Sequence, residues 1–274
     1  MKTSDRVSVW NIAHRGASSL APENTLAAGR KAFAVGADMW EVDVVLSRDG
    51  ELLIFHDDTL ERTTNAAERF PERAPWPLAA FSADELRTLD AGSWYVDRDP
   101  FGEIARGHVS PEEQRAYRGE PIPSLLQVLA LTRSHHWLVN LELKSVARPE
   151  DADALVPAVL RWIDLMGMAP YVLLSSFVHE WVHQVRELNP RLAIAALIDE
   201  GEEVDWDTLA FPVYNLPLSL ATRDRIRELH RAGRRVNVWA VNEENTMREL
   251  IAWGVDGIFT DYPQRLRRIV REGS

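Results

Sequence analysis

WLVNLEL (residues 137–143), ADALVPAVLRWIDLM (152–166), YVLLSS (171–176) and HEWVHQVREL (179–188) succeed one another along this chain. The two short runs are apolar along most of their length, as strands covered on both faces are, and too short for a helix of ordinary length. The two long runs bring apolar residues round every three to four positions, the signature of a helix with one buried face. Strand, helix, strand, helix in this order makes a parallel sheet with crossover helices.

The same beat extends outward in both directions. Upstream, Val7 to Ala13 reads as a strand and Thr25 to Val35 as a helix, with Asn24 or Thr25 as N-cap and Gly36 near its end. Ser124 to His135 reads as the helix before the central strand. Downstream, Leu192 to Ile198, Val213 to Leu216, Val236 to Val241 and Gly257 to Thr260 read as strands, with helices at Thr222 to Ala232 and Glu244 to Trp253. The expected fold is α/β, a (β/α)8 TIM barrel forming a single domain over residues 1–274, because such barrels run to about 250 residues. A doubly wound open sheet is the alternative. The strand candidates number nine, and the excess falls in a hairpin whose return arm is Leu52 to Phe55. Residues 59–123, carrying Pro71, Pro75, Pro77, Pro100, Pro111 and a charged patch from Arg106 to Glu120, break the rhythm and read as a loop-rich insertion at one barrel end.

Composition narrows the chemistry. The 274 residues are 46% hydrophobic, enough for a substantial core. Forty-two acidic against 31 basic residues give a net charge of -11, which disfavours nucleic-acid binding, and an anionic substrate then needs a local positive site. The absence of cysteine excludes disulfides, thiolate catalysis and Cys-type zinc sites. Met1 to Ser8 is polar, without the apolar core of a signal peptide, and no run approaches the roughly 20 apolar residues of a membrane span. A cytoplasmic protein without stable membrane insertion is expected.

Barrel chemistry sits at the C-terminal ends of strands, and the chain concentrates acid, base and cation there. His14 and Arg15 follow the first strand, Glu41 and Asp43 lie on the second, Glu142 and Lys144 end the strand begun at Trp137, and Ser175 and Ser176 end the next. All are expected to face one mouth. Residues two apart share a strand face, so Glu41 pairs with Asp43 and Glu142 with Lys144. The Asp49-Gly50 pair predicts a two-residue type I′ hairpin, with Arg48 opposite Glu51 and therefore Asp43 opposite His56. The same hairpin pattern also suits a solvated outer face, and this segment alone does not separate the two. Burying Lys144 and Glu142 inside a strand is costly without partners, which favours function.

In order along the chain, His14-Arg15-Gly16, Pro22-Glu23-Asn24-Thr25, Glu41-x-Asp43, His56-Asp57, Ala91-Gly92-Ser93-Trp94, Leu141-Glu142-Leu143-Lys144, Val238-Trp239-Ala240-Val241-Asn242 and Gly254 through Pro263 form a set. This set resembles the glycerophosphodiester phosphodiesterase family over nearly the whole length. The middle is the departure: Tyr95 to Glu120 is longer than the family's usual link, and Ile122-Pro123-Ser124-Leu125 stands for Ile-Pro-Thr-Leu. The resemblance implies a (β/α)8 barrel that hydrolyses a small-molecule glycerophosphodiester to an alcohol and glycerol 3-phosphate. It places Trp239 at the pocket, packing against the glycerol moiety, and makes a cyclic phosphate route plausible.

Glu41, Asp43 and Glu142 offer oxygen ligands only, which suits a hard divalent cation, Mg²⁺ or Ca²⁺ with Mn²⁺ also possible, rather than zinc or copper. Cleaving a phosphodiester requires neutralisation of phosphoryl oxygens, an activated nucleophile and a proton for the leaving alkoxide. The cation, Arg15 and Lys144 are expected to hold the phosphate, Arg15 in a bidentate grip and Lys144 as a point charge. His14 and His56 are expected to be the acid–base pair on opposite sides of phosphorus. Which is the base, and whether water or the glycerol 2-hydroxyl attacks, stay open. Phe177 is expected to form a second wall, and Glu23 and Asn24 to shape the first loop and cap its helix. His108, His135, His136, His179, His183 and His230 are expected to be structural. Two alternatives stand beside this activity. One is a phospholipase D-like activity on lysophospholipids, with an apolar rim near Trp76, Phe81, Trp94 and Phe101; the other is a non-catalytic binder of phosphorylated ligands.

Overall fold

The strand beat closes on itself. A computed structural model describes residues 9–144, 152–201, 204–206 and 209–273, so Val7 and Ser8 of the first expected strand lie outside the described residues. Among the described residues nine strands are formed: β1 (Trp10–Ala13), β2 (Met39–Leu46), β3 (Leu52–Ile54), β4 (Leu138–Leu143), β5 (Val172–Ser176), β6 (Ala193–Leu197), β7 (Val213–Pro217), β8 (Arg235–Trp239) and β9 (Gly257–Thr260). β1 pairs in parallel with both β2 and β9, and parallel pairing continues through β4, β5, β6, β7 and β8. The result is a closed parallel barrel, with β3 left over as the antiparallel arm of β2.

The helices are α1 (Leu26–Ala34), α2 (Ala66–Arg69), α3 (Ala83–Arg87), α4 (Ser93–Arg98), α5 (Pro111–Tyr117), α6 (Leu125–Ser134), α7 (Ala152–Leu165), α8 (His179–Leu188), α9 (Arg223–Arg231), α10 (Glu244–Trp253) and α11 (Pro263–Glu272). Side-chain caps fix several of their starts. Thr25 accepts from Ala28 N, Thr222 from Arg225 N, and Ser124 forms a capping box with Gln127. Helix α11, beginning on Pro263, was not among the expected elements. Among the described residues no helix is long and apolar enough to cross a membrane.

Strand alternation sorts β2 between two environments. Trp40, Val42 and Val44 turn outward into the layer beneath the helices, while Met39 joins Ile12, Leu173, Ala195 and Phe259 inside the barrel. Trp40 is fully buried, stacked on Trp137 at 5.8 Å, and donates from its indole to Thr132 Oγ1 at 2.9 Å. Helix α1 approaches it through Gly29, where an added Cβ would lie 2.5 Å from the Trp40 ring.

The hairpin register differs from expectation by one residue. Val44 pairs with Ile54 and Val45 with Leu53, which sets Asp43 opposite Phe55, not His56. The loop has three residues because Gly50, at φ +81, takes the left-handed position of a bulged turn while its N–H reaches Ser47 O at 3.1 Å. On the inward parity of β2, Val45 meets Leu53 and Phe55, and these seed a second core with Leu60, Phe81, Leu86 and Ile122. The 59–123 segment is therefore less loop-rich than its prolines suggest, carrying α2 and α3 on that core and α4 and α5 against the main one. It is clamped to the β1–α1 loop by Tyr95 Oη donating to Ser19 O at 2.6 Å and Tyr117 Oη donating to Leu20 O at 3.0 Å.

Candidate active site

Beyond the end of β1 the chain makes a tight turn in which Arg15 (φ 55) and Gly16 (φ 82) are both left-handed. Only glycine fits the second position, since a Cβ there would sit 2.6 Å from that of Ala28. For Arg15 the conformation costs roughly 1–2 kcal/mol. It points the Arg15 amide at Glu41 Oε2, at 2.8 Å, and sends the guanidinium between Glu23 (2.9 Å) and Asp43 (Nε to Oδ2, 3.6 Å).

Glu41, Asp43 and Glu142 converge as the strand parities require, each offering a carboxylate oxygen within 4.8 Å of the others. Glu41 is 2% and Asp43 1% exposed, so this face of the hairpin is not the solvated one. Burial, then the charges of Asp43 and Glu142, push the Glu41 carboxyl up to about 8. Burial and Asp43 likewise raise Glu142. Asp43 also feels burial, which raises it, but Arg15, His56, Lys144 and the 2.7 Å hydrogen bond from Asn24 Nδ2 carry it below its ordinary value. Glu41 Oε1 is buried without a hydrogen-bond partner. Three converging acids that cannot all ionise comfortably, one with an orphaned oxygen, fit a hard divalent cation. Lys144, at the end of β4, lies 3.1 Å from Glu142 Oε1 and 3.8 Å from Asp43 Oδ1.

Both expected histidines reach this cup, and each has a carboxylate on Nδ1. His14 Nδ1 is 2.8 Å from Asp261 Oδ1, beyond the end of β9, and Asp261 also accepts from Ser18 Oγ (2.9 Å) and Asn242 Nδ2 (2.7 Å). Burial alone would lower the His14 pKa, but the Asp261 hydrogen bond and charge, with Glu41, raise it overall. The same contacts overcome burial and hold Asp261 down at about 2. His56 Nδ1 is 2.6 Å from Asp57 Oδ1. It reaches the site despite the shifted register because the pairing with β2 ends at the bond from Phe55 N–H to Asp43 O, just before His56.

His14, Arg15, His56, Lys144, Phe177 and Trp239 line a cavity of about 230 Å³ together with Glu41 and Glu142. Phe177 meets Trp239 edge-on at 5.7 Å, and the Trp239 indole donates to Asn215 O at 3.1 Å. Ser175 and Ser176 do not reach the mouth: Ser175 Oγ accepts from Asn140 inside the barrel, and Ser176 Oγ donates to Leu143 O. Thr25, not Asn24, caps α1, which leaves the Asn24 amide for Asp43.

Several participants escape a reading of the sequence. Asp57 and Asp261 sit inside quoted motifs, and Asp261, directly after a strand end, satisfies the barrel rule that singles out the others. Glu23 was expected only to shape its loop, yet it joins two arginines. Arg62 carries no local signal; both of its carboxylate partners are set by the fold.

Residues 14–265 match the glycerophosphoryl diester phosphodiesterase family. The chain is 34% identical over 267 residues to a glycerophosphodiester phosphodiesterase of Caldanaerobacter subterraneus, covering 96% of this chain and 98% of that one. Among solved structures it is similar to a phosphodiesterase of Oleispira antarctica in complex with the product sn-glycerol-3-phosphate (TM-score 0.79, 28% identity, 95% and 96% of the two chains). It is also similar to a glycerophosphodiester phosphodiesterase of Agrobacterium tumefaciens (TM-score 0.73, 26% identity, 95% and 99%).

Proposed function

Since the chain belongs to the glycerophosphoryl diester phosphodiesterase family, we propose that it hydrolyses small glycerophosphodiesters to an alcohol and sn-glycerol 3-phosphate. The observation that carries this reading is the pair of carboxylate-backed histidines converging on one acidic cup. Glu41, Asp43 and Glu142 would hold a divalent cation, Mg²⁺, Ca²⁺ or Mn²⁺, which when bound supplies positive charge to the phosphoryl oxygens.

The chain's own residues supply the rest. Arg15 and Lys144, already held by the cup's carboxylates, present positive charge to the phosphate where an acidic protein otherwise repels it. With Nδ1 of each imidazole engaged by a carboxylate, Nε2 is the nitrogen left for proton transfer. His14, its proton favoured by Asp261, is the donor to the leaving alkoxide. His56 Nε2 then takes the proton of the nucleophile, either water or the glycerol 2-hydroxyl; in the second case a cyclic phosphate forms first and the same two groups, with roles exchanged, open it with water. Trp239 and Phe177 wall the cavity against the glycerol carbons.

Small diesters such as glycerophosphocholine and glycerophosphoethanolamine suit the site better than lysophospholipids. Phe81 is fully buried, and Trp76, Trp94 and Phe101 pack against the two cores, so the insertion offers little apolar rim for an acyl chain. The test is a panel of both substrate types, read as glycerol 3-phosphate or lysophosphatidate release, with chelator and with each cation restored. Faster turnover of a lysolipid would overturn the substrate assignment. Binding of sn-glycerol 3-phosphate with no turnover of any diester would make the chain a binder.

A further inference from the structure

Arg62 belongs to none of the elements that build the barrel, yet its guanidinium is the busiest donor near the site. Nε and Nη2 donate to Asp57 Oδ2 and Oδ1 at 2.5 and 2.9 Å, and Nη1 and Nη2 donate to Glu23 Oε2 and Oε1 at 2.8 and 2.7 Å. Both oxygens of both carboxylates are engaged. Asp57 is the partner of His56, and Glu23 is the partner of Arg15. The two acids come from different segments, Glu23 from the loop after β1 and Asp57 from the exit of β3. Among the described residues the Arg62–Glu23 pair is the hydrogen-bonded link between them. Arg98 of α4 donates to Arg62 O at 2.8 Å, anchoring this backbone to the insertion.

We propose that Arg62 is a positioning residue that sets the imidazole of His56 and the guanidinium of Arg15 relative to each other, by holding their two carboxylate partners in one planar fork. This rests on the function proposed above and goes beyond it, because Arg62 does not line the cavity. An ordinary exposed ion pair contributes little and tolerates exchange of Arg for Lys. This one does not, since an ammonium is a point charge and cannot meet two carboxylates in two bidentate pairs at once. Without Arg62, Glu23 and Asp57 face each other with no cation between them, and each is free to draw its functional partner off line. Asp57 feels burial, which raises it, but its hydrogen bonds from His56 and Arg62 hold it well below the usual carboxylate range, so it is an acceptor and His56 Nδ1 is the donor.

The experiment compares wild type, Arg62→Ala and Arg62→Lys by two readouts. With glycerophosphocholine as substrate, Arg62→Ala is expected to lower kcat roughly 100-fold, the penalty of a misplacement on the order of 1 Å, with KM changed much less. Arg62→Lys is expected to recover little. Because the Arg62 side chain is 40% exposed, guanidinium chloride at tens of millimolar should restore part of the rate to Arg62→Ala, and sodium chloride at equal ionic strength should not. The second readout needs no turnover: in protein labelled with ¹⁵N-histidine, Arg62→Ala should shift or broaden the His56 Nδ1–H resonance and leave that of His14 in place. A wild type inactive on every diester would sink the proposed function, while the His56 resonance would still decide the role of Arg62. A kcat within twofold of wild type, full recovery by lysine, or an unmoved His56 resonance would each overturn the positioning role.

Discussion

Replacing Glu41 by Gln should stabilise the cation-free protein while destroying its use for a cation. Burial and the neighbouring charges of Asp43 and Glu142 raise the Glu41 pKa from 4.5 to about 8. A carboxyl shifted upward on folding contributes its stability fully below its unfolded value and loses it as pH rises through the folded one. At pH 7 the folded protein keeps Glu41 protonated while the unfolded chain releases that proton, a difference of about 2.5 pH units or about 3 kcal/mol. At pH 5 the same linkage leaves less than about 1 kcal/mol. Glutamine has no such linkage. In chelator, Glu41→Gln should therefore melt about 6 °C above wild type at pH 7, and the two should nearly coincide at pH 5. Added Ca²⁺ or Mg²⁺ should raise the wild-type melting temperature and leave the variant's in place. Thermal unfolding followed by circular dichroism at both pH values, with and without cation, reads all of this. A gap of the same size at pH 5 and pH 7, or a variant that melts below wild type at pH 7 in chelator, would refute the charge-crowding account of the cup.

Three further outcomes follow from the geometry. His14→Ala and His56→Ala should each lower kcat about 100-fold or more, the usual size of a general acid–base contribution, with melting temperature measured alongside to show that the fold is kept. Trp239→Ala should act mainly on KM, raising it about 10-fold in steady-state kinetics by removing the wall against glycerol, while kcat changes less. Gly29→Ala should destabilise by about 1–3 kcal/mol in urea unfolding, because its Cβ would meet the Trp40 ring at 2.5 Å; an unchanged midpoint would mean that α1 can lift off β2 without cost.

The barrel was legible because each repeat carries its own punctuation. Thr25, Ser124 and Thr222 open helices with side-chain caps, and the strand runs are mostly apolar along their length. The parity of Glu41 with Asp43 was equally legible, since a two-residue period depends on nothing beyond the strand itself. Register was not: an Asp-Gly pair suits loops of two or three residues with Gly50 left-handed in both, and the bond from Ser47 N–H to Glu51 O settles which. The insertion hid its core because proline density resembles loop, whereas Leu60, Phe81 and Leu86 become a core only once Leu53 and Phe55 lie beneath them. The shell around the histidines was hidden for a different reason. His14 and Asp261 are 247 positions apart, and Arg62 finds Glu23 across 39. Their pairing exists only after the barrel has closed.

The most direct test of the account is product identity with glycerophosphocholine, followed by ³¹P NMR and a choline assay. Choline and sn-glycerol 3-phosphate in equal amounts, with release abolished by chelator, restored by a divalent cation and lost in Glu142→Gln, is the predicted result. Phosphocholine and glycerol as products, or a rate indifferent to the chelator, would contradict it.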